Sequence, residues 1–500
     1  MIPPGDPDRG PVATPEEPRP RHGFLRASAG IAASQYLARA VMLARGAVAA
    51  AVLGPYGYGI WNALNLIFDY GSYASLGAIQ GLDVRLPAAV ERGDMALARR
   101  LMAGALGATS IGAILFATGL VAGVAGERFL PGVPRLLPLL MLLAAVLQLL
   151  VLYFASCLRA LGRFGAVSAG SAVQAVVGGG LGIALLGSLG LVGLLVGWIA
   201  GTLLALVVMK LRGPEIPLAP ATSGAGVLVR VGLAIFAFYL ASLVLRSVDR
   251  IALVRYASSE ALGLYSVGLL ASGLVLFVPE SLAYVLFPRI AAAAAGTSDA
   301  AVMRGNVVRV QRALAVCLPL AVGIGMIWAT PVIGLLLPAY AAGLPALRLL
   351  TLAALVLGTS TIPTYLLLGT GRRRRLLVAG GAAAASTALL VFFAAATNPQ
   401  AENVAFAAGT GYALFALLML GLAAHELRHE IAPARFFVAS LLPALWGWFA
   451  AVLAAAQFGE DVAGTALASL VFITFYAPVL WLFIRGLGAR ALIDTLTRRA

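Results

Sequence analysis

The sequence predicts an all-α polytopic membrane protein of about 14 transmembrane helices, built as two parallel six-helix lobes plus two C-terminal helices. Three features carry that expectation: the composition, the spacing of the apolar runs and an internal repeat. Of the 500 residues, 61% are hydrophobic and 11% charged, with a mean hydropathy of +0.97. Soluble domains use about 45–50% apolar and about 25% charged residues, so this chain carries far more apolar surface than a water-facing fold can bury. The net charge of +15 and pI near 10.5 would suit nucleic acid. The basic residues, however, sit in short segments between apolar runs, which is the positive-inside pattern, and no nucleic-acid partner is expected. Cys157 and Cys317 both lie inside apolar runs, so neither a disulfide framework nor a metal cluster is expected.

Residues 1–22 are Pro-rich with mixed charges and little to bury, which predicts a disordered tail. Apolar runs follow at roughly 26–50, 57–83, 101–124, 136–158, 166–187, 190–209, 229–253, 262–287, 308–331, 344–368, 376–397, 403–424, 436–457 and 463–484. Each is close to the ~20 residues that a helix needs to cross ~30 Å of hydrocarbon. The expected units are a first lobe at 23–212, a linker at 213–228, a second lobe at 229–424, accessory helices at 436–485 and a tail at 486–500. Orientation follows from charge. With the N-terminus inside, the cytoplasmic side holds 27 of the 35 Lys and Arg residues, so both termini are expected there. The Arg372–Arg375 cluster reads as a stop at the headgroup level.

The repeat becomes visible when the chain is shifted by 204 positions. Arg45 then falls on Asp249, and Gly59-Ile60-Trp61 falls on Gly263-Leu264-Tyr265. Six helices separate the copies, so both begin on the same side and are expected to be related by an axis along the membrane normal.

The stretch LGPYGYGIWNALNLIFDYGSYASLGAIQGLDVRLP, residues 53–87, is the one on which the rest is organised. Its opening glycines and Pro55 mark a turn. Asn62, Asn65, Asp69, Ser72 and Tyr73 then recur at helical spacing and share one face. Such a stripe cannot face lipid cheaply, so it is expected to look into protein or a wet cavity, as a transport pathway requires.

Of the charges within or at the edges of the apolar runs, seven read as intramembrane: Arg39, Arg45, Arg246 and Arg250 against Asp69, Asp249 and Glu280. Each costs at least ~2.5–3.5 kcal/mol on insertion scales unless it has a partner or water. The positive excess suits an anionic headgroup such as a diphosphate, for which Arg offers planar, permanently charged donors. The candidate cavity residues are therefore Arg39, Arg45, Asn62, Asn65, Asp69, Arg246, Asp249 and Arg250, with Asp69 and Glu280 as candidates for ion coupling. The competing reading is that Arg45, Asp249 and Arg250 snorkel to the outer interface. The 204-residue offset further suggests an outer gate in which Arg45 and Asp249 meet across the axis. Trp61, Tyr70, Tyr73, Tyr239 and Tyr265 are either sugar-stacking or packing residues. Gly193, Gly197 and Gly201, four apart, predict tight helix packing.

His425-Glu426-Leu427-Arg428-His429 fits H-E-x-x-H, a zinc-protease pattern when it lies on a helix with a third ligand nearby. Here it sits in a short turn with few downstream acids, which makes an intramembrane zinc protease a remote alternative. No G-x-x-x-x-G-K-[ST] occurs, and no cofactor is expected.

The GPYGYGIWNALN turn, the LP after the second run, and the RSVDRIAL, ALGLYSV, VLFPRIA and LLPAYAAGLPALRLL segments resemble the lipid-linked oligosaccharide flippases of the polysaccharide-transporter family. That family lies within the multidrug/oligosaccharidyl-lipid/polysaccharide exporter superfamily. The resemblance covers most of residues 24–485. It implies a flippase moving a polyprenyl-diphosphate oligosaccharide across the bacterial inner membrane by alternating access, with no enzymatic activity. Its implied partners are the lipid-linked glycan, membrane lipids, a proton or sodium ion, and polysaccharide polymerase machinery. An ion-coupled multidrug antiporter and a peptidoglycan-precursor flippase of the same superfamily stay open as alternatives.

Overall fold

The computed structural model describes residues 22–126, 130, 132–294, 296 and 299–487. The two expected tails fall almost wholly outside these residues. The elements are α1 (His22–Gly71), α2 (Ala78–Glu91), α3 (Met95–Ala125), α4 (Leu136–Ala160), α5 (Phe164–Leu189), α6 (Leu191–Arg212), α7 (Ala225–Leu245), α8 (Val248–Tyr256) and α9 (Ser259–Ala294). They continue with α10 (Ala300–Ile327), α11 (Ala329–Leu336), a 3-10 turn (Pro338–Gly343), α12 (Leu344–Thr359), α13 (Thr361–Gly369), α14 (Arg373–Thr397), α15 (Ala401–Glu426), α16 (Pro433–Gln457) and α17 (Val462–Leu487). Among the described residues, 13 helical segments are long and apolar enough to cross a membrane, so the polytopic all-α reading holds.

The helix breaks depart from the sequence reading, and each has a local cause. The first two runs are joined into α1, which kinks at Gly54 (φ 63, ψ 178). Only glycine takes that backbone readily, and Pro55 cannot donate to the preceding turn. The expected second span, 57–83, is instead divided: its first part completes α1 and its end forms α2. Between them residues 72–77 form turns, with Leu76 (φ 53) and Gly77 (φ 85) left-handed. The seventh run breaks after Leu245, so Arg246 caps α7 and Asp249 opens α8 rather than all lying on one helix. The tenth run breaks at Ser360, whose hydroxyl donates to the Leu357 carbonyl at 2.7 Å.

Within the first half, α5 and α6 make the closest packing. A Cβ at Gly193, Gly197 or Gly201 would collide with Leu185, Gly182 or Gly178 backbone, which is the tight contact expected of that glycine series. α1 lies on α5 and α4, and α6 also packs on α4. In the second half α9 packs on α12, α12 on α15, and α15 on α14, while α14 holds α7 and α8. The expected linker is docked rather than loose. Tyr153 donates to the Pro217 carbonyl at 2.8 Å, Ala221 N–H donates to the Ala103 carbonyl at 3.0 Å, and α7 already begins at Ala225. The last two helices fasten to α10: Phe472 and Tyr476 are fully buried there, and Tyr476 donates to the Val316 carbonyl at 2.9 Å.

The halves meet along α1 with α9 and α2 with α7. At the arginine-poor end the contact is reciprocal. A Cβ at Gly59 would strike the Ser259 carbonyl, and one at Gly263 would strike the Pro55 carbonyl. Pro55 and Ser259, like Gly59 and Gly263, are 204 positions apart. At the other end α2 and α7 approach through Gly77, Gly81 and Gly232.

Candidate functional site

Below the Gly59–Gly263 contact the halves separate around a cavity of about 750 Å³. That volume lies within the ~300–1,000 Å³ typical of ligand sites. Part of its wall comes from the places where helices break: Ser72 and Tyr73 after α1, Arg246 between α7 and α8, Ser360 between α12 and α13, and Thr361, Thr364 and Tyr365 in the first turns of α13. Broken helices turn polar side chains and backbone toward a cavity without exposing them to lipid.

Five of the seven intramembrane charges line this cavity: Arg39, Asp69, Arg246, Arg250 and Glu280. They are paired. Arg250 Nη2 donates to Asp69 Oδ2 at 3.0 Å, joining α8 to the second segment of α1. Arg246 Nη1 donates to Glu280 Oε1 at 2.7 Å, and Arg39 Nη1 donates to Glu280 Oε2 at 3.3 Å. The Arg39 guanidinium also sits 4.8 Å from the Phe277 ring centre, one turn before Glu280. Three guanidinium groups against two carboxylates leave the lining positive. Ser242, Ser281 and the 360–365 hydroxyls add neutral hydrogen-bonding groups, and Tyr73, Tyr239 and Phe68 supply aromatic surface.

Other sequence candidates lie elsewhere. Asn62 and Asn65 donate back to the Tyr58 and Trp61 carbonyls of their own helix at 2.9 Å and do not line the cavity. Arg45 and Asp249 also lie outside it, and they do not meet. Arg45 is buried inside the first half, donating to the Leu194 carbonyl at 3.2 Å and lying between the Trp61 and Trp198 rings at 4.6 and 5.0 Å. Asp249 is fully buried in the second half, accepting from the Tyr265 hydroxyl and the Arg250 N–H. The outer ion-pair gate is therefore corrected. Repeat-equivalent residues are used equivalently: Arg45 with Trp61 in one half corresponds to Asp249 with Tyr265 in the other. Neither residue snorkels, and Arg250 also faces the cavity rather than a headgroup. Tyr70 shares a hydrogen bond with Ser247 at 2.9 Å, a packing role.

The H-E-x-x-H segment does not form a helical pair of histidines. α15 ends at Glu426, so His425 and His429 do not share a helical face. Glu426 accepts from Arg372 and Arg375 and anchors α15 to α14. No cluster of three or more metal-ligating side chains occurs among the described residues. The hydroxyl-bearing break at Ser360–Tyr365 is a site element that sequence reasoning missed; its signal is the polar run STIPTY inside an apolar span.

Comparison with known proteins bears on this arrangement. A polysaccharide biosynthesis protein family matches residues 101–339. Among solved structures, the lipid II flippase MurJ in an inward closed conformation superposes with a TM-score of 0.65 at 13% identity, covering 91% of this chain and 99% of that one. A Vibrio cholerae MATE transporter, VcmN, in a mutant form gives 0.57 at 15% identity, covering 82% of this chain and 100% of that one. An inward-facing multidrug resistance MATE transporter of the MOP superfamily gives 0.56 at 14%, covering 78% and 94%. The chain has the fold that these flippase and transporter structures share, in agreement with the resemblance read from its sequence. Among curated proteins none matches it in sequence.

Proposed function

We propose that the protein is a flippase that moves a polyprenyl-diphosphate oligosaccharide across the bacterial inner membrane by alternating access. The observation that carries this reading is the cavity between the halves, where arginines from both halves converge beside clustered hydroxyls and aromatic rings. Guanidinium forks bind the oxygens of a diphosphate, and hydroxyls and aromatic faces suit sugars. The match of residues 101–339 to a polysaccharide biosynthesis family points the same way. Residues 23–212 and 229–424 act as the two rocking lobes, with 436–485 as accessory helices, and the lipid tail trails outside the cavity. The arginine-rich end faces the cytoplasm, consistent with 27 of 35 basic residues on that side. Asp69 and Glu280, the acids of the cavity, are the coupling candidates for a proton or sodium gradient.

The test is reconstitution. Proteoliposomes holding a fluorescent polyprenyl-diphosphate oligosaccharide in one leaflet are treated with a membrane-impermeant glycosidase. Wild-type protein should expose the glycan from the opposite leaflet, and Arg246→Ala should not. Transport of cationic drugs by vesicles that leave the glycan lipid in place would overturn the proposal in favour of a multidrug antiporter.

A further inference from the structure

We infer that Glu280 is a built-in occupant of the anion site, a carboxylate that fills the place of the substrate's diphosphate until substrate displaces it from Arg39 and Arg246. This inference rests on the flippase reading and adds how its binding site is kept and released.

Three observations converge on it. First, Glu280 is the carboxylate of both Arg39 and Arg246, and each arginine reaches a different one of its oxygens, at 3.3 and 2.7 Å. Two guanidinium groups drawn to one two-oxygen anion reproduce the geometry in which they would clasp a phosphate. Second, these two arginines are accessible. Their side chains are 47% and 43% exposed, whereas that of Arg250, paired with Asp69, is 13% exposed. A ligand entering the cavity thus reaches the guanidinium groups of Arg39 and Arg246 more readily than that of Arg250. Third, Arg39 has a second holdfast in the Phe277 ring, so its guanidinium keeps its place when the carboxylate leaves.

The backbone gives Glu280 freedom to leave. Pro279 immediately before it cannot donate to the Val275 carbonyl, which loosens α9 at that turn. Arg39 lies on the first segment of α1 and Glu280 on α9, so the contact ties the two halves together. Displacement by a diphosphate therefore cuts one of the cavity's two ion-pair ties between halves and leaves the other, Arg250–Asp69. An empty cavity is held together by its own carboxylate, and a filled one is released to move.

The test uses the full chain in nanodiscs with inorganic pyrophosphate as the probe, its affinity read by calorimetry. Removing the internal competitor should tighten binding, so Glu280→Gln should bind pyrophosphate about tenfold more tightly than wild type. Arg246→Gln should bind it about tenfold more weakly, and the double variant should lose the gain. Glu280→Asp, with one methylene less reach, should show a smaller rise, and it serves as the readout if Glu280→Gln does not fold. Unchanged or weaker binding in the Glu280 variants, with binding still dependent on Arg246, would overturn the inference and leave the flippase reading standing. Pyrophosphate binding indifferent to the arginines in every variant would overturn both.

Discussion

The reciprocal glycine contact at the arginine-poor end makes a quantitative prediction about the conformational equilibrium. In Gly59→Ala a new methyl meets the Ser259 carbonyl, and in Gly263→Ala it meets the Pro55 carbonyl. Both obstacles are backbone atoms of the opposing helix, so neither can rotate aside. The helices must part, or the closed state must carry overpacking of about 1–3 kcal/mol. Set against a two-state equilibrium, that range shifts the ratio of closed to open by about 5–150-fold. Spin labels at Tyr56 and Glu260, both exposed and 204 positions apart, report the separation of the two segments directly by electron–electron resonance. Each alanine variant should move the distance distribution toward longer values. Because one parting of the helices relieves both collisions, the double variant should shift scarcely further than either single one. Gly119→Ala, which meets no atom within 4 Å, should leave the distribution as in wild type. Identical distributions in wild type and both contact variants would refute the view that this contact seals the cavity.

Other expectations concern charge and topology. Arg39→Ala and Arg246→Ala should abolish complementation of glycan export at near-normal protein abundance, while Arg39→Lys should recover part of it because a fork becomes a point charge. Full export in both alanine variants would remove the case for an arginine-lined site. Arg45→Asp and Asp249→Arg should each destabilise their own half by about 3–5 kcal/mol or more, since each leaves a buried charge facing unsuitable partners. Read by thermal unfolding in detergent, the double swap should show no rescue; recovery would mean that the two side chains meet after all. Cysteines at Gly371 and Gly459, in the connections after α13 and after α16, should label from opposite faces of the membrane, and equal access of an impermeant reagent to both would overturn the topology.

The sequence by itself determined the membrane class and the approximate number and position of the spans, because hydrocarbon solvation acts on each segment separately. A run such as 136–158 must be a helix wherever its neighbours lie. The repeat was legible for the same reason, and the reciprocal contact of Gly59 and Gly263 realises it in space. Arg39, Asp69, Arg246, Arg250 and Glu280 were readable as functional candidates because a charge in an apolar run announces its own cost. Which charges meet was not readable. Arg45 and Asp249 occupy equivalent positions in the repeat, yet each packs within its own half, against Trp61 and Tyr265, rather than against the other. Only the tertiary structure decided that Glu280 serves two arginines. It also decided that Asn62 and Asn65 spend their amides on their own helix, and that Ser360 breaks a span to present hydroxyls to the cavity. Pairing depends on rotation about helix axes and on where backbones bend, and those are set by close packing between helices, which one-dimensional hydropathy does not encode.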